Sequence, residues 1–127
     1  LDVAQTFTAL QVIPGLASGV VGTINDDNVF SFTPMTAMGL LVIWNRASSA
    51  TGGQRSALLA YRAAATNPYC TIIAQPSTMV EVNTIPLTGT TGTDGRVTIS
   101  AATDGKVYIE NRMGSTASFG YMVLGAS

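Results

Sequence analysis

Residues 96–112 read RVTISAATDGKVYIENR, a stretch in which two runs of alternating apolar and polar residues flank an Asp-Gly pair. Such alternation is typical of a β-strand with one buried face, because successive side chains of a strand point to opposite sides. Asp104-Gly105 favours a tight turn, since glycine accepts the positive backbone angles that such turns need. The sequence therefore predicts a β-hairpin over residues 97–112.

The same pattern extends outward along the chain. Further strands are predicted at 20–24, 29–32, 38–46, 69–74, 78–82 and 119–124. Residues 55–65 contain good helix formers, but Ala57, Leu59 and Tyr61 alternate, and we predict a strand there as well. Residues 38–46 are apolar on both faces, which indicates a central strand. Eight or nine short strands with turn signals at this spacing predict a sandwich, a jelly roll or a barrel.

The 127 residues correspond to one ordinary domain. Pro14-Gly15 ends the N-terminal stretch, whatever its local structure. We therefore divide the chain into an N-terminal arm or linker at 1–19 and a β-sandwich head at 20–127.

The composition indicates self-association. Hydrophobic residues make up 46% of the chain and charged residues only 10%, against about 25% charged in a typical soluble domain. A surface with so little charge is better tolerated when part of it is covered by another subunit. We therefore expect an oligomer rather than a monomer with a Ser/Thr-rich surface.

The same totals argue against two kinds of partner. The formal net charge is −1 and no basic run occurs, so nucleic acid is not expected as a partner. The longest apolar run, at 39–44, is too short to cross a bilayer, so membrane insertion is not expected.

No catalytic constellation is recognisable. The chain has no histidine, which removes Ser-His-Asp and Cys-His sites and most zinc sites. Asp residues stand in turn contexts, and Gly89–Gly95 lacks the Lys-Ser/Thr end of a phosphate-binding loop and reads as a long turn. We predict no catalytic residue, no cofactor and no metal, and a buried, structural Cys70. A glycan-cleaving enzyme that uses Glu81 or Glu110 is the least favoured alternative.

Aromatic and arginine side chains are the candidates for a ligand site or a subunit interface. Aromatics on strands either pack in a core or interface, or stack on sugar rings. Arginine presents five donors in a planar fork, which suits an anionic ligand or a bridge between subunits. The candidates are Trp44, Arg46, Tyr61, Arg62, Tyr108 and Arg112.

Three segments resemble phage virion proteins. Residues 4–9, Ala-Gln-Thr-Phe-Thr-Ala, are similar to the linker repeats that precede tail-fibre tips. Residues 87–95 and 105–114 resemble stretches in the C-terminal domains of phage and prophage structural proteins. The resemblance implies an antiparallel, jelly-roll-like all-β sandwich of about eight strands, comparable with tumour-necrosis-factor-like and complement heads. It also implies a homotrimer on the exterior surface of a virion.

The leading hypothesis is therefore a non-enzymatic phage structural protein, preferably a trimeric, receptor-binding tail-fibre tip. Its neighbours would be a fibre shaft and a host surface glycan. The alternative is a capsid decoration, or cement, protein that contacts the major capsid protein. A carbohydrate-binding module with surface aromatics is the further alternative, because fold alone does not specify function.

Overall fold

A computed structural model describes residues 16–46 and 55–126, and these residues form nine β-strands. The strands are β1 (Leu16–Ile24), β2 (Asn28–Phe32), β3 (Met38–Asn45), β4 (Ala57–Arg62), β5 (Tyr69–Ala74), β6 (Val80–Asn83), β7 (Val97–Ala101), β8 (Val107–Asn111) and β9 (Ala117–Ala126). The described part contains no helix long and apolar enough to cross a membrane.

The strands form two sheets that pack as a sandwich. One sheet has five strands in the order β1-β9-β3-β4-β5, and the other has four in the order β2-β8-β7-β6. The first two strands lie in different sheets, and each pairs with one of the last two in the jelly-roll manner. The predicted jelly-roll-like all-β sandwich is thus confirmed.

One detail differs from the prediction of an antiparallel sandwich. The β6–β7 pair is parallel, whereas every other pair is antiparallel. It is parallel because β6 does not turn back directly into β7. Residues 84–95 instead return the chain to the end from which β6 started. In addition, β3, β4 and β5 are consecutive neighbours in one sheet.

The predicted hairpin over residues 97–112 is confirmed as β7 and β8. Its turn is closed by hydrogen bonds from the Gly105 amide to the Ala102 carbonyl and from the Ala102 amide to the Lys106 carbonyl. Gly105 has a φ of 81°, the left-handed conformation that the Asp-Gly pair predicted.

The ambiguous segment 55–65 forms a strand, as predicted. Ala57, Leu59 and Tyr61 of β4 all face the core and are buried. The alternation outweighs the helix propensity here because the strand lies between β3 and β5, where its apolar face is covered.

The core lies between the two sheets. It is built mainly from alternate residues of β3, β4, β7, β8 and β9, and its largest side chains include Leu41, Leu59, Ile99, Ile109 and Phe119. Cys70 is part of this core, and burial raises the pKa of its thiol to about 12. The described thiol is therefore not activated at neutral pH.

Strand β1 begins at Leu16 and pairs with β9 from there onward. The sheet therefore extends into the segment 1–19 that the sequence assigned to an arm. Residues 1–15, which include the linker-like segment 4–9, lie outside the described residues.

Candidate functional site: the outer faces of the two sheets

The outer face of the four-stranded sheet is closed by the chain itself. Every residue of β7 and β8 is buried, including Thr98, Ser100 and Glu110, which point away from the core. Residues 84–95, which we call the covering loop, lie over them, and the Ser100 hydroxyl donates to the Ile85 carbonyl at 2.6 Å. The alternating pattern predicted that one face of this hairpin would be exposed to solvent. Both faces are buried, because the covering loop lies over the outer one.

Glu110 holds the centre of the covering loop. Its side chain is fully buried, at 0% exposure. Oε2 accepts from the Gly89 amide at 2.8 Å and the Thr91 amide at 3.1 Å, and Oε1 accepts from the Gly92 amide at 2.6 Å. The glycine-rich loop is therefore an anion cradle, but the anion is the protein's own carboxylate.

Glu81 on β6 holds the far side of the loop. Its Oε1 accepts from the Thr93 amide at 2.5 Å and from the Thr98 hydroxyl at 2.9 Å. Burial acts to raise the pKa of Glu81, but the hydrogen bonds from Thr93 and Thr98 and the nearby Arg96 charge outweigh it. The net result is a lowered pKa. Glu81 and Glu110, the two candidates for a glycan-cleaving enzyme, thus both accept hydrogen bonds from the covering loop and do not face an open cleft.

The glycines of the covering loop are required by close approach. A Cβ at Gly92 would overlap the Thr98 hydroxyl and lie 2.7 Å from Glu81 Oε1. Gly89 has a φ of 107°, and a Cβ there would overlap the Asp27 carbonyl oxygen. A larger residue at either position would push the loop off the sheet.

Arg112, a predicted ligand or interface residue, ties this loop to a distant turn. Its Nε donates to Asp27 Oδ1 at 3.0 Å, and its Nη1 donates to the Gly92 carbonyl at 2.5 Å. Asp94 Oδ1 lies 4.0 Å from Nη2 of the same guanidinium. The Arg112 guanidinium, predicted to bind a ligand or another subunit, therefore donates mainly to groups of its own chain.

Tyr108 also has an internal partner. It packs with Leu87 and Ala102 on the closed face, and its hydroxyl donates to the Asp104 carboxylate. That hydrogen bond, together with burial, raises the pKa of Tyr108 to about 12.

Tyr61 lies in the core rather than on a surface. It is fully buried, and its hydroxyl donates to the Thr36 carbonyl at 3.0 Å. Alternation places it on the inward face of β4, so it does not face a ligand or a subunit from outside the sandwich.

The outer face of the five-stranded sheet is the opposite of the closed face. Most of the described outward side chains on β3, β4 and β9 are apolar, and the large ones remain substantially exposed: 39% for Leu40, 38% for Trp44 and 49% for Leu124. We call this surface the apolar face. It comprises Met38, Leu40, Val42, Trp44, Leu58, Ala60, Arg62, Tyr69, Met122 and Leu124.

Strand register makes the apolar face continuous. Leu40 stands between Leu124 on β9 and Ala60 on β4, and Val42 stands between Met122 and Leu58. The central position predicted for β3 is confirmed. Its outward apolar residues, however, do not acquire a covering layer from the described residues.

Trp44 is the predicted site residue that this face presents most fully. Its indole lies over Gly120 of β9, where a Cβ would overlap the ring. Beside it is a hollow of about 280 Å³ lined by Leu58, Gln75 and Pro76 among others. A second hollow of about 430 Å³ lies at the other end of the face, next to Leu40, Tyr69 and Leu124.

The two remaining predicted residues lie at opposite ends of the apolar face. Arg46 follows β3 and is exposed, with its amide bonded to the Ser118 carbonyl. Arg62 ends β4, between Met38 and Tyr69 in the register, and its buried Nε has no hydrogen-bond partner among the described residues. The structure therefore separates the six predicted residues. Trp44, Arg46 and Arg62 belong to the five-stranded sheet's outer side, whereas Tyr61, Tyr108 and Arg112 are engaged internally.

Comparison with known proteins gives no relative. No protein-family model matches the chain, and neither a curated protein nor a solved structure matches it. Within residues 16–46 and 55–126, no cluster of three metal-ligating side chains is present. The apolar face is therefore the candidate functional site on structural grounds alone.

Sequence reasoning missed Leu40, Met122 and Leu124 as site residues. An apolar residue on a strand that is apolar on both faces carries no sign of which face the chain will cover. The partial signal was the low charge, which indicated a hidden surface without locating it.

Proposed function

We propose that this chain is a non-enzymatic structural module that assembles with copies of itself, as a homotrimer, on the exterior of a phage virion. The observation that carries the assembly part is the apolar face. Four strands of 6 to 10 residues span a sheet area of about 500 Å². An apolar patch of this size is at the upper end of what a typical monomer exposes, and such patches often mark an interaction site.

The two glutamates support the non-enzymatic part. Glu110 is fully buried among three backbone amides, and Glu81 is bonded to the same loop. A general acid or base must reach the proton that it transfers. Here both carboxylates serve to close a sheet.

The virion setting rests on the resemblance of residues 4–9, 87–95 and 105–114 to phage structural proteins. Within it, a receptor-binding fibre tip is preferred to a capsid decoration protein. Cryo-electron microscopy of particles that carry the chain separates the two. Density at the fibre end is expected, and density repeated over the capsid lattice would replace the fibre tip with the decoration protein.

Light scattering on a sizing column tests the assembly. We expect a mass near three times 13.1 kDa, and a shift toward the monomer in the double variant Leu40→Ser/Leu124→Ser. The matched control is Met35→Ser, which removes an exposed apolar side chain from the β2–β3 connection. A monomeric wild type, or equal loss of mass in both variants, would contradict the proposal.

A carbohydrate-binding module is the second candidate, and the exposed indole of Trp44 favours it. An aromatic ring on a surface can stack on a sugar ring. A glycan array tests this candidate with the wild type and Trp44→Ala. Binding that disappears in Trp44→Ala supports it, and an empty array at high protein concentration removes it.

A further inference from the structure

Charge is segregated between the two sheets. The described strands of the five-stranded sheet contain Arg62 and no carboxylate, and Arg46 and Arg55 stand next to β3 and β4. The β1–β2 turn, with Asp26 and Asp27, joins this sheet to the other one. The four-stranded sheet, with its turns and covering loop, carries six carboxylates and three cations. These are Asp26, Asp27, Glu81, Asp94, Asp104 and Glu110, with Arg96, Lys106 and Arg112. The two sides of the sandwich therefore have opposite net charge.

The arginines of the apolar side lack partners within the described chain. The ion pairs in residues 16–46 and 55–126 all involve Arg112, on the other sheet. Arg62 is the clearest case, because it lies within the apolar face and makes no ion pair with the described residues. Its Nε is buried by the chain itself, but the residue is only partly buried, so the rest of the guanidinium is the part that a second copy would reach. A guanidinium in apolar surroundings is stabilised by a carboxylate that comes from outside.

The most accessible carboxylates lie on the opposite side. Asp94 has a side chain 81% exposed and Asp27 one 48% exposed, and both flank Arg112 at the end of the closed face. Arg112 joins the turn of Asp27 to the covering loop that carries Asp94, because it donates to Asp27 Oδ1 and to the Gly92 carbonyl. We call Asp27 and Asp94 the acidic edge.

This segregation decides how two copies can meet. Two apolar faces placed against each other would bring arginines to arginines, which is unfavourable in a desolvated interface. An apolar face against the acidic edge of the next copy joins opposite charges. Such a head-to-tail contact uses two different patches, and it closes into a ring when the rotation allows.

We propose that the apolar face binds the acidic edge of a second copy of this chain, with Arg62 of one copy paired with the Asp27–Asp94 edge of the next. The proposal rests on the proposed self-assembly and specifies its interface. Each chain of the trimer would then use its apolar face to contact one neighbour and its acidic edge to contact the other.

Charge reversal tests the pairing by analytical ultracentrifugation. Arg62→Glu is expected to raise the dissociation constant of the assembly by about tenfold or more, and Arg62→Gln by less. Lys106→Glu is the control, because it changes net charge equally at a turn outside both patches. Circular dichroism and the urea midpoint establish that each variant is folded.

The double variant Arg62→Glu/Asp94→Arg is expected to recover most of the lost affinity, since the pair is rebuilt with its charges exchanged. The proposal would be overturned if a mixture of wild type and Arg62→Glu associates more tightly than the wild type alone. That result would assign a face-to-face contact, which joins two copies. Self-association through the apolar face would stand, but the assembly would be a dimer and not a trimer. A wild type that stays monomeric would overturn the self-assembly itself.

Discussion

The two sheets of this sandwich treat their outer faces in opposite ways. The four-stranded sheet places Thr98, Ser100 and Glu110 outward and then buries them under twelve residues of its own chain, 84–95. The five-stranded sheet places Leu40 and Leu124 outward and leaves them exposed. On these two outer faces, polar side chains are buried and apolar side chains are exposed, which is the reverse of the usual arrangement at a protein surface.

The difference teaches what each face is for. Burying Glu110 is tolerable because three amides satisfy its oxygens in a fixed geometry. The apolar face keeps part of its apolar area in contact with water after the chain has folded. Covering it with another surface would remove that area from water. The closed face therefore stabilises the monomer, whereas the apolar face is the surface that we propose for association.

The largest expected effect comes from removing the centre of the closed face. Glu110→Ala leaves one buried and two partly buried amides without their acceptor, and we expect it to lower the free energy of unfolding by about 3–5 kcal/mol. Urea denaturation followed by circular dichroism measures this. Asp94→Ala, whose side chain is mostly exposed, is the control and, at concentrations where the chain is monomeric, should change the free energy by less than about 0.5 kcal/mol. Equal losses in the two variants would show that the loop does not depend on Glu110.

A smaller effect is expected from crowding the covering loop. Gly92→Ala places a methyl group against the Thr98 hydroxyl and Glu81, and we expect a loss of about 1–3 kcal/mol from the resulting displacement. The control is Gly22→Ala, where a Cβ meets no atom within 4 Å. Thermal unfolding of both variants checks the pair, and a Gly92→Ala protein as stable as Gly22→Ala would mean that the loop is not packed on the sheet.

Acid should weaken the closed face through Glu81. Its pKa is lowered in the folded protein, so its contribution to stability is complete above the unfolded value, near 4.5, and is lost as the pH falls through the folded pKa. The stability difference between wild type and Glu81→Gln should therefore shrink as the pH falls from about 6 to about 3. Urea midpoints at several pH values measure it, and a constant difference would contradict the assigned role.

The smallest effect on stability is expected on the apolar face. Leu40 and Leu41 are neighbours on β3, with 39% and 0% exposure. Leu41→Ala should cost about 2–5 kcal/mol, whereas Leu40→Ala, measured at concentrations where the chain is monomeric, should cost less than about 1 kcal/mol. Similar losses in both variants would mean that the monomer already covers its apolar face.

Much of the fold was predictable because its signals are local. The hairpin at β7 and β8 follows from alternation and Asp104-Gly105, and β4 follows from Ala57, Leu59 and Tyr61. The parallel β6–β7 pair was not predictable, since it depends on the path of residues 84–95 rather than on any strand's own pattern.

The candidate site was predictable only in part. Trp44 and Arg62 were selected as residue types that bind partners, and both lie on the apolar face. Arg112 has the same donor geometry, but Asp27 reaches it from a position 85 residues away in the chain. Which arginine remains without a partner is a property of the tertiary structure and has no signature in the sequence.

Trp44 provides the most direct test, because it is the chain's single tryptophan and it lies on the apolar face. Its fluorescence and its quenching by acrylamide should be recorded across a dilution series alongside the solution mass. We predict that Trp44 is open to quencher in the dilute monomer and becomes shielded, with emission at shorter wavelength, as the mass rises. A rise in mass with unchanged quenching of Trp44 would contradict the assignment of the apolar face as the surface of association.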